Sequence, residues 1–148
     1  MPEKRTIDRA RKDAREGKSP STQAGEFVRE EMDHIREGKH GARSTKQAIA
    51  IGLSKARRAG VPLQPPKGST SKAVRTKTKQ DSEAASSRQA PSPKRSRATT
   101  KALKHEGTKA ASKASLSRQA RTSARNRGAA NRRSAAKKAA RTRARSAR

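Results

Sequence analysis

The chain contains no Cys, Trp or Tyr, and Phe27 is its only phenylalanine. Without Cys it can form neither a disulfide nor a thiolate metal site. With Phe27 as its single Phe, Trp or Tyr ring, it lacks the rows of aromatic side chains on which single-strand and RNA-recognition modules stack bases. Leu, Ile, Val and Phe are together too scarce to offset the conformational entropy that 148 residues lose on folding. The composition therefore predicts a mostly disordered chain with a small all-α segment.

Negative charge is also scarce, because 12 Asp and Glu face 40 Lys and Arg, for a formal net charge of +28. Residues 1–66 hold 15 basic and 9 acidic residues, whereas residues 67–148 hold 25 basic and 3 acidic ones. After Glu106 there is no further acid, and 14 basic residues follow. This asymmetry is typical of an arm that binds a polyanion such as nucleic acid.

Long apolar runs are missing as well. Residues 1–19 carry charges throughout and lack the apolar core of a signal peptide. The best apolar run, residues 48–53, is far too short to span a bilayer. We therefore expect a soluble, cytoplasmic protein with no membrane partner.

Helical patterns are confined to the N-terminal part. Residues 4–16 predict a weak helix, and residues 22–37 predict a second helix that Ser21 or Thr22 caps and Gly38 ends. A third helix should begin at Ser44, because Ser44-x-x-Gln47 has the spacing of a capping box. The second and third helices predict a hairpin near residues 22–60, with a small core formed by Phe27, Val28, Met32, Ile35, Ile49, Leu53, Val61 and Leu63.

Composition divides the chain into four parts. Residues 1–20 form a basic N-terminal segment with the weak helix, and residues 21–63 form the hairpin. Residues 64–100, rich in Ser, Thr, Lys and Pro, predict a disordered linker, and residues 101–148 form a basic Ala/Lys/Arg tail. Dense like charge should suppress helix in the free tail, and phosphate should remove that repulsion, so we expect the tail to become helical on nucleic acid.

The tail and the end of the linker supply the candidate DNA contacts, since Lys and Arg neutralise phosphates without reading bases. Arg133, Lys137, Arg141, Arg145 and Arg148 recur at helical spacing, as do Arg118, Arg121 and Arg125. Ser92-Pro93-Lys94-Arg95 resembles the SPKK-type element of histone tails, which suits a narrow minor groove. The full candidate set is Lys94, Arg95, Arg97, Lys101, Lys104, Lys109, Lys113, Arg118, Arg121, Arg125, Arg127, Arg132, Arg133, Lys137, Lys138, Arg141, Arg143, Arg145 and Arg148.

A second basic cluster lies in the hairpin. It could contact phosphate, or its cations could simply complement a helix dipole. Its members are Lys39, Arg43, Lys55, Arg57 and Arg58, with His40 beside them.

Catalysis has little support in the sequence. His34, His40 and His105 lack the spacing of metal ligands, and Glu30, Glu31 and Asp33 should splay around a helix. Phosphate-loop, nucleophile-elbow and zinc-protease motifs are absent. We therefore expect neither an enzyme, nor a cofactor, nor a metal site.

Residues 30–60 resemble a small, uncharacterised bacterial domain with a KHGxxxxKQAIAIGLSxARRxG core. The core here is Lys39-His40-Gly41 followed by Lys46-Gln47-Ala48-Ile49-Ala50-Ile51-Gly52-Leu53-Ser54 and Ala56-Arg57-Arg58-Ala59-Gly60. The tail is similar in composition to bacterial linker-histone-like proteins. Together these resemblances imply a histone-like protein of the bacterial nucleoid.

The main functional hypothesis is sequence-nonspecific binding and compaction of duplex DNA. An RNA- or ribosome-associated basic protein is one alternative, because the same cations hold any phosphate backbone. Another is a protein-interaction adaptor, in which the helical hairpin is the active part and the tail only supplies charge. In the main hypothesis the tail makes the DNA contacts, and residues 22–60 form a homodimer or bind a protein partner.

Overall fold

The structure, a computed structural model, describes residues 2–65, 71–87 and 92–146. Within these ranges the secondary structure is helical, with seven α-helices and one 3₁₀ turn, Lys109–Ala111. The α-helices are α1 Lys4–Arg15, α2 Pro20–Arg36, α3 Thr45–Arg58, α4 Lys72–Ser87, α5 Pro93–Lys104, α6 Lys113–Asn126 and α7 Gly128–Ser146.

The prediction of a mostly disordered chain is wrong. Helices α4 and α5 occupy most of the segment predicted to be a disordered linker, and α6 and α7 occupy most of the tail. Apolar content was the basis of that prediction, but Ala, Lys, Arg and Gln are strong helix formers and α4 is also held by polar contacts to α3.

The chain divides into two units, an N-terminal unit of Met1–Ser112 and a C-terminal unit of Lys113–Arg148. In the N-terminal unit α2 packs against both α1 and α3, and α4 packs against α3. In the C-terminal unit α6 and α7 meet at a turn where Gly128 has a positive φ of 72°. Among the described residues, no helix combines the length and apolar character needed to cross a membrane.

The core of the N-terminal unit lies between α1, α2, α3 and the segment after α3. Phe27 and Ile35 are fully buried, as the α2 pattern predicts, whereas Val28, Ile49, Leu53 and Leu63 are only half-buried. Alanines fill much of the remaining interior. One cluster contains Ala10, Ala24, Phe27, Ala56 and Val61, with Ile7, Leu53 and Leu63 packed against it.

The two hairpin helices begin differently. In α3, Oγ of Ser44 accepts a hydrogen bond from N of Gln47 at 3.2 Å, which confirms the predicted cap. Helix α2 instead begins at Pro20, so the predicted cap at Ser21 or Thr22 is wrong. Proline suits the first helical position because its fixed φ matches a helix and its missing N–H has no helical partner there.

A close approach of backbones fixes how α3 lies on α2. A Cβ atom added to Gly52 would come 2.7 Å from Cα of Val28, which is shorter than any ordinary contact. The two helices therefore touch at a point where only glycine fits.

The chain beyond α5 returns to the loop between α2 and α3. N of Gly41 donates to O of Leu103 at 2.9 Å, and N of Ala42 donates to O of Gly107 at 3.1 Å. Oγ1 of Thr45 donates to O of Ala110 at 2.6 Å. The start of the predicted basic tail, up to residue 112, is thus part of the N-terminal unit.

We predict opposite effects for two Gly→Ala substitutions in this hairpin. Gly52→Ala should destabilise the protein by about 1–3 kcal/mol, because the methyl group collides with the α2 backbone. Gly25→Ala, in α2 with open space around it, should stabilise by about 0.5–1 kcal/mol through helix propensity. Urea unfolding followed by circular dichroism measures both, since the chain has no Trp or Tyr to report by fluorescence. Equal stabilisation by both changes would disprove the close approach.

Candidate functional site: a basic helical unit and a buried polar cluster

Helices α6 and α7 present the tail cations to solvent. Every Lys and Arg whose side-chain exposure is described in the C-terminal unit is exposed. The sequence from residue 113 onward contains no Asp or Glu, so none of these cations has an acidic side chain as a partner within its own unit. The unit is therefore a helical surface of uncompensated positive charge.

The cations are arranged differently on the two helices. At 100° per residue, Arg118, Arg121 and Arg125 fall within about 60° on one face of α6. On α7 the series from Arg133 to Arg145 advances about 40° at each step of four residues, so it winds through about 120°. Arg148, the last member of the predicted series, lies outside the described residues. Helix α7 thus offers positive charge over a wide arc rather than along one narrow face.

Five further candidate contacts lie on α5, in the N-terminal unit. Ser92 is the N-cap residue of this helix and Pro93 is its first residue, so the Ser-Pro-Lys-Arg element forms the N-terminus of α5. All the basic residues of α5 are exposed: Lys94, Arg95, Arg97, Lys101 and Lys104. Lys109 is exposed in the 3₁₀ turn.

Four of the five members of the second basic cluster lie near carboxylates of the N-terminal unit. Nζ of Lys39 lies 2.9 Å from Oε2 of Glu37, and Nε of Arg43 lies 3.9 Å from Oε1 of Glu106. Lys55 pairs with two buried carboxylates of α2, and Arg58 pairs with one on α4. Arg57 is half-buried, and its Nε is buried without a hydrogen-bond partner. The sequence could not show these pairs, since most of the acids are distant along the chain.

Asp81 holds α4 against α3. Its carboxylate is 1% exposed and accepts hydrogen bonds from Oγ of Ser54 at 2.6 Å, Nε of Arg58 at 2.9 Å and Nζ of Lys77 at 2.9 Å. Burial by itself raises the pKa of Asp81, but the hydrogen bonds from Ser54, Lys77 and Arg58 outweigh it and hold the pKa below its ordinary value.

The structure brings His34 and His40 together with Glu31, which sequence spacing did not suggest. The two imidazole centroids are 6.1 Å apart, and one ligand atom from each of the three residues lies within 4.8 Å of the other two. Gly38 makes this possible, because its φ of 73° ends α2 and turns the chain back. His105 is not a member of this group. Glu31 and His34, three residues apart on one helix, were the only local signal of the cluster.

Charged side chains from three elements surround this group. Nζ of Lys55 lies 2.7 Å from Oε2 of Glu31 and 3.5 Å from Oε1 of Glu30. Oε1 of Glu3, just before α1, lies 3.0 Å from Nε2 of His34 and 3.4 Å from Nζ of Lys39. Hydrogen bonds from His34 and then Lys39 lower the pKa of Glu3 from its ordinary value.

A family model matches part of the chain. Residues 15–67 are similar to a family of unknown function, DUF6496. No curated protein and no solved structure matches the chain. The family match fits a small uncharacterised domain over α2 and α3. The quoted core motif and the linker-histone likeness of the tail stay predictions.

We predict that Asp81→Asn destabilises the protein at pH 7 by about 2 kcal/mol, because it weakens charge-assisted bonds to a buried group. The folded-state pKa is lowered, so this contribution is complete above the ordinary aspartate pKa of about 3.9 and is lost as the pH falls through the folded value. Urea unfolding at pH 7 and in acid should show the two proteins converging. Glu83→Gln, an exposed change on the same helix, is the control and should have little effect. An Asp81→Asn difference that persists in strong acid would contradict this account.

Proposed function

We propose that the protein binds duplex DNA without sequence preference, with the C-terminal unit as the principal contact. The observation that carries the proposal is the pair of exposed helices whose unit contains 13 cations and no acid. Each cation that meets a phosphate releases condensed counterions, and this term needs no base contact. On this proposal the protein is a histone-like component of the bacterial nucleoid.

The helical form of the basic unit favours duplex DNA over RNA. The DNA major groove is about 12 Å wide and admits an α-helix, whereas the RNA major groove is deep and narrow. Helix α7 has 19 residues and is about 28 Å long, so it extends along most of one turn of DNA. Charge over a wide arc of α7 suits contact with phosphates on both walls of a groove.

The absence of base-reading chemistry supports binding without sequence preference. The sequence from residue 113 to the end contains one Gln and two Asn, and otherwise only Lys, Arg, Ala, Ser, Thr, one Leu and one Gly, so it lacks aromatic residues. Arg can pair with guanine, but it can also bind any phosphate. We therefore expect the affinity for duplex DNA to depend far more on salt concentration than on the sequence of the DNA.

Two matched charge variants of the full chain test where DNA binds. The first changes Arg133, Lys137, Arg141 and Arg145 on α7 to Gln, and the second changes Lys4, Arg5, Arg11 and Arg15 on α1 to Gln. Each set is exposed and helical, and each lowers the net charge by the same amount. The affinity K falls as salt rises, so the slope of log K against log salt is negative. The α7 variant should make this slope shallower by about 3–4, since each lost phosphate contact removes about 0.9 from its magnitude. The α1 variant should change the slope much less.

The measurement is fluorescence anisotropy of a labelled duplex over a series of salt concentrations. Equal effects of the two variants would show that only total charge matters and would overturn the assignment to the C-terminal unit. A second titration at matched salt compares this duplex with a scrambled duplex and with structured RNA. A clear preference for RNA, or for one duplex, would overturn the proposal as stated.

A further inference from the structure

We propose that Glu31, His34 and His40 form a binding site for a divalent transition-metal ion, with zinc the best-fitting candidate. The proposal is independent of DNA binding, because all three residues lie in the N-terminal unit. It rests on the position of the three side chains, the burial of Glu31 and the hydrogen bonds that orient the two imidazoles.

Glu31 differs from the two histidines in its complete burial. Its side chain has no solvent exposure, and neither of its carboxylate oxygens has a hydrogen-bond donor in good geometry among the described residues. Nζ of Lys55 lies close to Oε2 and compensates part of the charge. The other oxygen, Oε1, faces Nε2 of His40 at 3.4 Å. A buried carboxylate with an unsatisfied oxygen is costly unless a cation or donor completes it.

The position of the proton on the His40 ring determines which kind of atom faces Oε1 of Glu31. Nδ1 of His40 lies 3.1 Å from O of Gly41, and because a carbonyl only accepts, Nδ1 must carry the proton. In the neutral ring, Nε2 then presents a lone pair to Oε1 of Glu31, so two acceptors face each other. A metal ion between them would satisfy both atoms.

Both imidazoles have the outer partners that metal-bound histidines commonly have. His40 is oriented by the carbonyl of Gly41, and Nε2 of His34 donates to Oε1 of Glu3 at 3.0 Å. Such bonds fix the tautomer and leave the second ring nitrogen free to bind metal. The ligating carboxylate is likewise held from outside, through the ion pair of Lys55 with Oε2 of Glu31.

The distances fit a small tetrahedral ion. Zinc bonds of 2.0–2.1 Å to nitrogen and oxygen imply ligand atoms about 3.4 Å apart. The Glu31–His40 pair already has this separation, and a closure of at most about 1.4 Å would bring the remaining ligand atoms, now within 4.8 Å, to it. Two imidazoles and one carboxylate suit zinc and neighbouring transition metals, whereas Mg²⁺ and Ca²⁺ prefer oxygen ligands alone. The fourth position is left to water.

Zinc titration of the full-length protein tests the site, with calorimetry to give affinity and stoichiometry. We expect one ion per chain, with affinity lowered by more than about tenfold in His34→Gln and in His40→Gln. His105→Gln is the matched control, because His105 is exposed at the end of α5 and outside the group, and it should bind zinc as the wild type does. Excess Mg²⁺ should not compete. Circular dichroism checks that each variant is folded.

A second measurement needs no variant. The chain has three histidines, so NMR can follow each imidazole during the zinc titration. The His34 and His40 ring signals should change together and saturate at one equivalent, while His105 stays unchanged. Zinc that leaves His34 and His40 unaffected, that acts first on His105, or that binds equally well to His34→Gln and His40→Gln would overturn the proposal. The Glu31–His40 contact would then be a polar contact that involves no metal ion.

Discussion

The contact of Gly52 with the α2 backbone sets the position of α3, and the polar interior of the N-terminal unit depends on that position. Helix α3 carries Lys55 toward the buried carboxylates of α2. The next turn carries Arg58 toward Asp81 on α4. A larger residue at position 52 would separate the helices, and both groups of ion pairs would lengthen. The absence of a Cβ atom at Gly52 therefore affects how α2, α3 and α4 pack together.

Buried carboxylates take the place that large apolar side chains hold in most small domains. Glu31 and Asp81 are among the largest fully buried side chains, beside Phe27 and Ile35. Removing such charges from water is costly, and the paired Lys and Arg offset part of that cost. Because an unpaired buried charge is heavily penalised, these pairs favour one arrangement of α2, α3 and α4 over its alternatives.

The distribution of acids separates the two units more clearly than the distribution of apolar residues does. All 12 Asp and Glu precede residue 113, and many of them bind cations of the N-terminal unit. The C-terminal unit has no acid with which to neutralise its Lys and Arg. Part of the positive charge of the N-terminal unit is thus paired within that unit, whereas all of the charge of the C-terminal unit is available for a polyanion. This difference is why the proposed DNA contact and the proposed metal site lie in different units.

The sequence determined the features that depend on neighbours a few residues away. The helical spacing in α1 to α3, the cap at Ser44 and the charge asymmetry were all readable from it, because each needs only local geometry or counting. Only the tertiary structure decided which polar groups meet: His40 with Glu31, Glu3 with His34, and Asp81 with Ser54. It also showed that α4 and α5 are helical where apolar content predicted disorder. These contacts join residues from 9 to 31 positions apart, so their formation depends on how the helices pack and turn rather than on any local pattern.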